Sequence, residues 1–385
     1  MKRGPTVLVA CASFKGTLSS LQAGRAIARG LRRAGYASLV IPLADGGEGW
    51  VEALARAVPG ARMRSASCRG PMGAKKCRAR FALLPGTESR RGVTAVLEMA
   101  ASSGLPLLPK RKRNPKVTTT LGVGDQVRAA LNAGARTILL GIGGSATNDG
   151  GAGMAQALGA RLLDEKGCEL PPGGAVLNRL AHIDVSCMEP QLKRVRVIVA
   201  CDVRNPLCGR NGASSVYGPQ KGATPADVAL LDRALRRYAR VLKRDLGCAV
   251  SRLPGAGAAG GLGAGCVAFM NAELKPGSDL VLDAVGFNSS LQRASLVVTG
   301  EGRLDRTSRM GKLPGAVAAR AHRARVPCVA IGGTIDREAS RALARRLKGI
   351  ESLSAFSGST KAAIDRAAYW LERLAWERSP SWLSK

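Results

Sequence analysis

Residues 141–153 read GIGGSATNDGGAG, between an apolar run and an amphipathic one. Ahead of them, Thr137, Ile138, Leu139 and Leu140 form a short run suited to a buried strand; behind them, Met154, Leu158 and Leu162 recur at helical spacing. The glycines therefore fall on a strand-to-helix turn. Glycine lets backbone approach a ligand closely, and free N–H groups at a helix N-terminus favour anions. Ser145, Thr147, Asn148 and Asp149 add hydroxyl, amide and carboxylate groups. A tight connection capped by Asn148 or Asp149 would account for one polar residue. Four polar residues among six glycines point instead to a loop that holds phosphate or carboxylate.

Both ends of the chain carry the same alternation. Residues 7–10 make a first strand, followed by Ser13, Phe14, Lys15 and Gly16 and a helix over 19–33 closed by Gly35. A second strand over 38–42 runs into ADGGEG at 44–49 and a helix over 51–57. From 294 the rhythm returns: a strand at 296–299 with GEGRLD at 300–305 as its loop, then a helix from 314 and a strand at 326–331. A helix at 338–347, a strand at 352–356 and a final helix at 360–376 complete it. Five βα units suit a doubly wound, flavodoxin-like domain split in sequence. The expectation is a two-domain α/β chain, with 1–65 plus 290–385 as the discontinuous flavodoxin-like domain and 66–289 inserted as a second α/β domain carrying the glycine-rich loop.

Within the insert, strands are expected at 78–84 and 93–99, then a loop through Pro106, Pro109 and Pro115. Thr118, Thr119 and Thr120 lead into the helix before the central strand. The apolar strand at 195–201 ends in Asp202, 217–222 is a loop, and Thr224 and Pro225 open a helix. GAGAAGGLGAG at 255–265 contains GxGxxG, but Arg252, Leu253 and Pro254 precede it in place of a strand. It reads as a hinge or a ligand-facing loop.

The 385 residues are 45% hydrophobic and only 3% aromatic, which suits two domains with aliphatic cores. Lys and Arg number 59 against 27 Asp and Glu, a formal charge of +32. The basic residues are scattered, with one compact run at 110–113, and few aromatics are present to stack bases. Specific nucleic-acid binding is therefore not expected, while the positive field draws anionic substrates. Ten cysteines without a CxxC, and only His182 and His322 as imidazoles, argue against zinc and for free thiols in a reducing compartment. No stretch has the length of a transmembrane helix, and Pro5 leaves too short an apolar run for a signal peptide. A cytoplasmic protein without membrane contact is expected, either a monomer or a homodimer.

Several short loops share a character, each glycine-rich, following a strand and bearing charge: Lys15, Asp45 with Glu48, Ser145 through Asp149, Asp202, Lys221, Glu301 with Asp305, and Lys312. That mixture suits phosphoryl transfer with magnesium. Carboxylates hold the ion, lysines and N–H groups bind phosphate oxygens, and one carboxylate takes the acceptor hydroxyl's proton. Gly311-Lys312 is followed by Leu313, which excludes a P-loop.

At this point the sequence resembles the type I glycerate kinases. The resemblance rests on SFKGTLS at 13–19, PLADGGEG at 42–49, GIGGSATNDGGAGMAQALGA at 141–160 and ACDVRNPLCG at 200–209. YGPQKGA at 217–223, PGAGAAGGLG at 254–263, TGEGRLD at 299–305 and GK at 311–312 continue it in order. It implies an ATP- and Mg2+-dependent kinase that phosphorylates D-glycerate, typically at the 2-hydroxyl, with the active site in a cleft between two α/β domains. Departures from the family pattern are Ala12 in place of a common Asp, Ser295 in place of Asp, Thr307 in place of Gln, and Ser357-Gly358-Ser359-Thr360 in place of a Gly-Pro loop. They motivate two alternatives, a glycerate- or nucleotide-binding protein of the same fold without turnover and a kinase for another small hydroxy acid.

Asp202 is the leading general-base candidate, Asp149 competes with it, and Lys15 completes the catalytic set as a phosphate or carboxylate partner. Substrate and nucleotide contacts are expected from Ser13, Gly143, Gly144, Ser145, Thr147, Asn148, Lys221, Gly300, Glu301, Gly302, Arg303 and Lys312, and metal contacts from Asp45, Glu48 and Asp305. Backbone N–H groups or Arg303 would take the glycerate carboxylate. His182 and His322 are expected to be structural.

Overall fold

The computed structural model describes residues 6–14, 16–44, 49–74, 76–86, 92–304, 313–337, 341 and 343–384. In chain order its strands are β1 (Thr6–Cys11), β2 (Ala37–Val40), β3 (Arg62–Arg69), β4 (Lys76–Leu84), β5 (Val93–Glu98), β6 (Ala135–Gly141), β7 (Arg161–Leu163), β8 (His182–Asp184), β9 (Arg196–Ala200), β10 (Glu273–Lys275), β11 (Leu296–Leu304), β12 (Cys328–Ile335) and β13 (Gly349–Ser352). The chain divides into two units, residues 1–45, 56–58 and 276–385 in one, and 46–55 and 59–275 in the other.

These bounds differ from the sequence expectation at two places. The first unit resumes at 276 rather than 290, because helix Gly277–Ala284 is tied to helix Leu313–Arg323: the buried Arg320 guanidinium donates to Asp279 at 2.9 Å and to Asp283 at 2.6 Å. Residues 46–55 go with the insert. There the Val51 N–H at the start of helix Trp50–Ala57 donates to Glu98 Oε1 at 3.0 Å, and Trp50 is fully buried.

In the first unit, five parallel strands run in the order β13-β12-β11-β1-β2. Numbered within that unit the order is 2-1-3-4-5, the flavodoxin-like arrangement, with its topological switch between β1 and β11. Val7, Val9, Leu296, Val298, Val329 and Ile331 alternate inward and pack on Ile27, Leu31, Leu371 and Leu374 from helices Ser20–Arg33 and Ala367–Leu383. Helix Ser20–Arg33 starts on a capping box, in which the Ser19 hydroxyl accepts from Gln22 N and Gln22 Oε1 accepts from Ser19 N.

Three local expectations for this unit change. Strand β11 continues through GEGRL and stays paired with β12 as far as Leu304 opposite Ile335, so these residues are extended ladder, not loop. Strand β13 ends at Ser352. Ser352 then acts as an N-cap, accepting from Ala355 N, and Leu353–Phe356 is helical where a strand was expected. The last helical run is divided into Thr360–Asp365 and Ala367–Leu383.

The second unit holds a six-stranded sheet in the order β10-β9-β6-β5-β4-β3, parallel from β5 through β10 and antiparallel at β4 and β3. One face packs Val123, Val127 and Leu131 of helix Leu121–Asn132 against Leu97, Ile138 and Leu140. A separate cluster gathers around Leu235, Tyr238 and Leu242 of helix Pro225–Leu246, which Thr224 and Asp227 cap reciprocally. Residues 255–265 were expected as a hinge or ligand-facing loop. All but half-buried Ala259 are buried, and they open helix Ala258–Met270, whose Ala259, Gly260 and Gly261 are left-handed.

Candidate functional site

Parallel strands leave their last carbonyls and the loops after them on one edge. Register makes that edge flush in the second unit, where Glu98 of β5, Gly141 of β6 and Ala200 of β9 are successive partners, with Lys275 of β10 beside Ala200. Beyond Gly141 come half-buried Gly143 and exposed Gly144; beyond Ala200 comes exposed Asp202. Hydrogen-bonded strands lie about 4.8 Å apart, so this register gathers the glycine turn and Asp202 on neighbouring strand ends. The turn is pinned from behind, since Gly144 O accepts from Leu105 N and Ala146 N donates to Ser103 O, both at 2.9 Å. Ser145 is 7% exposed, and its hydroxyl has no partner among the described residues. Gly143, Gly144 and Asp202 therefore present accessible N–H and carboxylate groups, with the buried Ser145 hydroxyl beside them.

The second half of the loop points the other way. Thr147, Asn148 and Asp149 are all 0% exposed. Asp149 Oδ2 accepts from Thr120 N at 2.7 Å, Thr120 Oγ1 at 2.9 Å and Gly153 N at 3.3 Å, while its Oδ1 accepts from Gly151 N at 3.2 Å. Burial raises the Asp149 pKa and those donors pull it back down. Four donors are thus aimed at one carboxyl group, and burial still leaves its pKa raised on balance. Asp149 thus joins the start of helix Leu121–Asn132 to the start of helix Ala152–Ala157. Asp149, the second general-base candidate, is therefore buried and engaged by four donors, whereas Asp202 is exposed.

Thr147 and Asn148 are likewise turned inward, with Asn148 Nδ2 donating to Ser214 Oγ at 3.0 Å. Lys221, expected as a ligand contact, is 1% exposed and donates to the Thr147 carbonyl at 2.7 Å. Burial pushes its pKa down to about 7, against the pull of the Asp149 charge. The second glycine-rich segment passes directly beneath this one. Gly150 N donates to Gly260 O at 3.0 Å, and a Cβ on Gly260 would fall 1.9 Å from Thr147 O.

In the first unit, the carboxyl ends flanking the switch point bring Ser13, Gly300, Glu301, Gly302 and Arg303 together: Cys11 pairs with Gly300, and Ala12 N donates to Gly300 O at 2.9 Å. Arg303 is exposed and meets Asp336 at 3.2 Å. Lys15, Asp45, Glu48, Asp305 and Lys312 lie outside the described residues. Among the described residues no group of three or more His, Cys, Asp or Glu is placed to hold a metal ion, and no helix is long and apolar enough to cross a membrane.

Sequence reasoning passed over several participants. Glu98 is the last residue of β5, close to the same edge as Asp202 just past β9, and that position was a readable signal. Thr118, Thr119 and Thr120 are buried and serve the loop: Thr118 Oγ1 donates to Ala146 O at 2.9 Å, Thr119 O accepts from Ser103 Oγ at 3.2 Å, and Thr120 Oγ1 accepts from Met154 N at 2.9 Å. Three consecutive threonines ahead of a helix resemble a cap, and nothing in their spacing identifies a partner so far along the chain.

Comparison with known proteins identifies the family. The model of the glycerate kinase family matches residues 7–379. A Bacillus subtilis protein named glycerate kinase is 46% identical over 373 residues, 96% of this chain and 95% of its own. An Escherichia coli protein named glycerate 2-kinase is 47% identical over 86% of this chain and 85% of its own. A crystal structure of a Salmonella typhimurium protein, provisionally assigned as glycerate kinase 2, superimposes with a TM-score of 0.84 at 40% identity, covering 98% of both chains.

Proposed function

The chain belongs to the glycerate kinase family, and we propose that it transfers the terminal phosphoryl group of ATP to the 2-hydroxyl of D-glycerate, giving 2-phosphoglycerate. The observation that carries this reading is the pairing of Gly141 with Ala200, which sets the open Gly143–Ser145 turn beside Asp202. In it, the N–H groups of Gly143 and Gly144 and the Ser145 hydroxyl bind the glycerate carboxylate, and Asp202 accepts the proton of the attacking hydroxyl. Ser13, Glu301 and Arg303 at the switch point are proposed as further ligand contacts, along with Lys15 and Lys312.

Mg2+ bound to the nucleotide would neutralise charge developing on the transferred phosphoryl group. The carboxylates offered for it, Asp45, Glu48 and Asp305, are hard oxygen donors. They suit an ion that keeps most of its ligands as water and phosphate and takes one or two from protein.

The test is turnover by purified protein with ATP, Mg2+ and D-glycerate, with product read by enolase in the absence of phosphoglycerate mutase. An immediate enolase signal is expected. ADP release without that signal would place the phosphoryl group elsewhere, and no ADP release from folded protein would overturn the proposal in favour of a binding protein, the reading that Ala12 favours.

A further inference from the structure

Among the described residues, Lys221 is the most thoroughly buried cation in the second unit that no carboxylate contacts at hydrogen-bond distance. Its ammonium reaches the Thr147 carbonyl at 2.7 Å with the side chain 1% exposed. It sits on a short 3-10 turn, Pro219–Lys221, that runs straight on from helix Ala213–Tyr217. Ser214 of that same helix accepts from Asn148. Two side-chain contacts thus tie this segment to consecutive residues of the glycine loop. On the loop's other flank, Asp149 binds the two helix starts. Thr147 Oγ1 and Asn148 Oδ1 are buried without a partner among the described residues, so side-chain hydrogen bonds hold these two residues incompletely. The Lys221 contact is therefore a large part of what holds Thr147, and Thr147 lies two residues from Ser145.

We propose that Lys221 is a positioning residue for the anion-binding turn: its ammonium fixes the Thr147 carbonyl and so sets where Gly143, Gly144 and Ser145 present their donors, without itself touching a ligand. The inference rests on the reading of that turn as the glycerate site. Placing a charge in an apolar interior is unfavourable unless hydrogen bonds and an opposite charge compensate, and here a carbonyl and the nearby Asp149 carboxylate offset only part of that cost. Depression of the Lys221 pKa to about 7 by burial is the mark of that environment. A lysine kept there for packing alone would be replaceable by methionine, which has similar length and no charge.

The experiment compares wild type with Lys221→Met by amide hydrogen exchange and by steady-state kinetics with D-glycerate and MgATP. Ala146 and Gly150 are useful reporters, because their N–H groups are hydrogen-bonded to Ser103 O and Gly260 O. Exchange over 145–150 is expected to quicken at least tenfold in the variant, while the amides of helix Pro225–Leu246 stay as they were. The KM for glycerate is expected to rise at least tenfold with kcat changed less than threefold. Unchanged exchange over 145–150 overturns the inference whatever the kinetics, and faster exchange with an unchanged KM overturns the role toward substrate. If wild type does not phosphorylate glycerate, the functional reading fails and the exchange comparison still decides whether Lys221 holds the turn. Should Lys221→Met not fold, Lys221→Gln is measured against the same criteria.

Discussion

The two sheets end in carboxyl edges built on different principles. In the first unit the edge comes from topology alone. Helices leave β1 and β11 toward opposite sides, and the strand ends at Ser13 and Gly300 to Arg303 border the gap this produces. The second unit has no such reversal, since its parallel strands follow one another in a single direction from β5 to β10. Its edge is shaped by two glycine-rich segments stacked on each other and stapled by Asp149, Lys221 and the threonines 118–120. An edge made by topology tolerates changes to its side chains, whereas an edge made by interlocked backbone tolerates few.

The largest effect should expose that difference. Gly260→Ala would need a left-handed residue, φ 71°, with its new methyl 1.9 Å from Thr147 O, and is expected to cost about 4 kcal/mol or to prevent folding. Gly35 in the first unit is also left-handed, φ 87°, but a methyl group added there would meet nothing within 4 Å, so Gly35→Ala should cost about 1 kcal/mol. Urea unfolding of both variants decides it, and equal costs would break the comparison.

Next comes Asp149→Asn. Its single acceptor oxygen cannot replace a carboxylate that serves Thr120, Gly151 and Gly153, and a loss of about 3 kcal/mol is expected. A variant as stable as wild type but without turnover would mark Asp149 as a chemical participant.

Lys221 gives a pH signature of intermediate size. The unfolded chain keeps the lysine proton up to about 10.5, and the folded protein releases it near 7. Between those values the unfolded state binds more protons, so stability must rise with pH across that window. Wild type should gain stability relative to Lys221→Met when urea unfolding is moved from pH 7 to pH 9.5. Burial raises the Tyr238 pKa well above 10.0, so Tyr238 supplies no proton in the window.

The smallest effect belongs to the topological edge. Arg303 and Asp336 are well exposed, and Asp336→Ala should change stability by less than about 0.5 kcal/mol in a thermal melt. Arg303→Ala should be equally mild in stability. A larger change in KM for glycerate than in melting would then mark Arg303 as a ligand contact.

The first unit was legible because its signals are local. Alternating apolar runs, the Ser19 cap and glycines after helices each act within a few residues, and together they predicted the split α/β domain and its flavodoxin-like character. The misplacement of β13 came from a local rule as well: Ser352 is a better cap than a strand residue, and the run of apolar residues around it masked the change. In the second unit the strand end at Gly141 and the place of Asp202 just past a strand were readable, but the direction of the side chains between Ser145 and Gly150 was not. Spacing gives no indication that Asp149 turns toward Thr120, 29 residues earlier, or that Lys221 reaches Thr147, 74 residues earlier.

By itself, then, the sequence determined that strands alternate with helices, that the ends of the chain form one domain around an insert, and that a glycine turn and Asp202 follow apolar strands. Those features depend on the periodicity of burial and on turn chemistry, which neighbouring residues decide. Only tertiary structure decided which polar groups of that turn stay open and which are sealed inside. That choice depends on the backbone that packs behind the loop, because a buried carboxylate or ammonium is stable only where distant partners supply its hydrogen bonds.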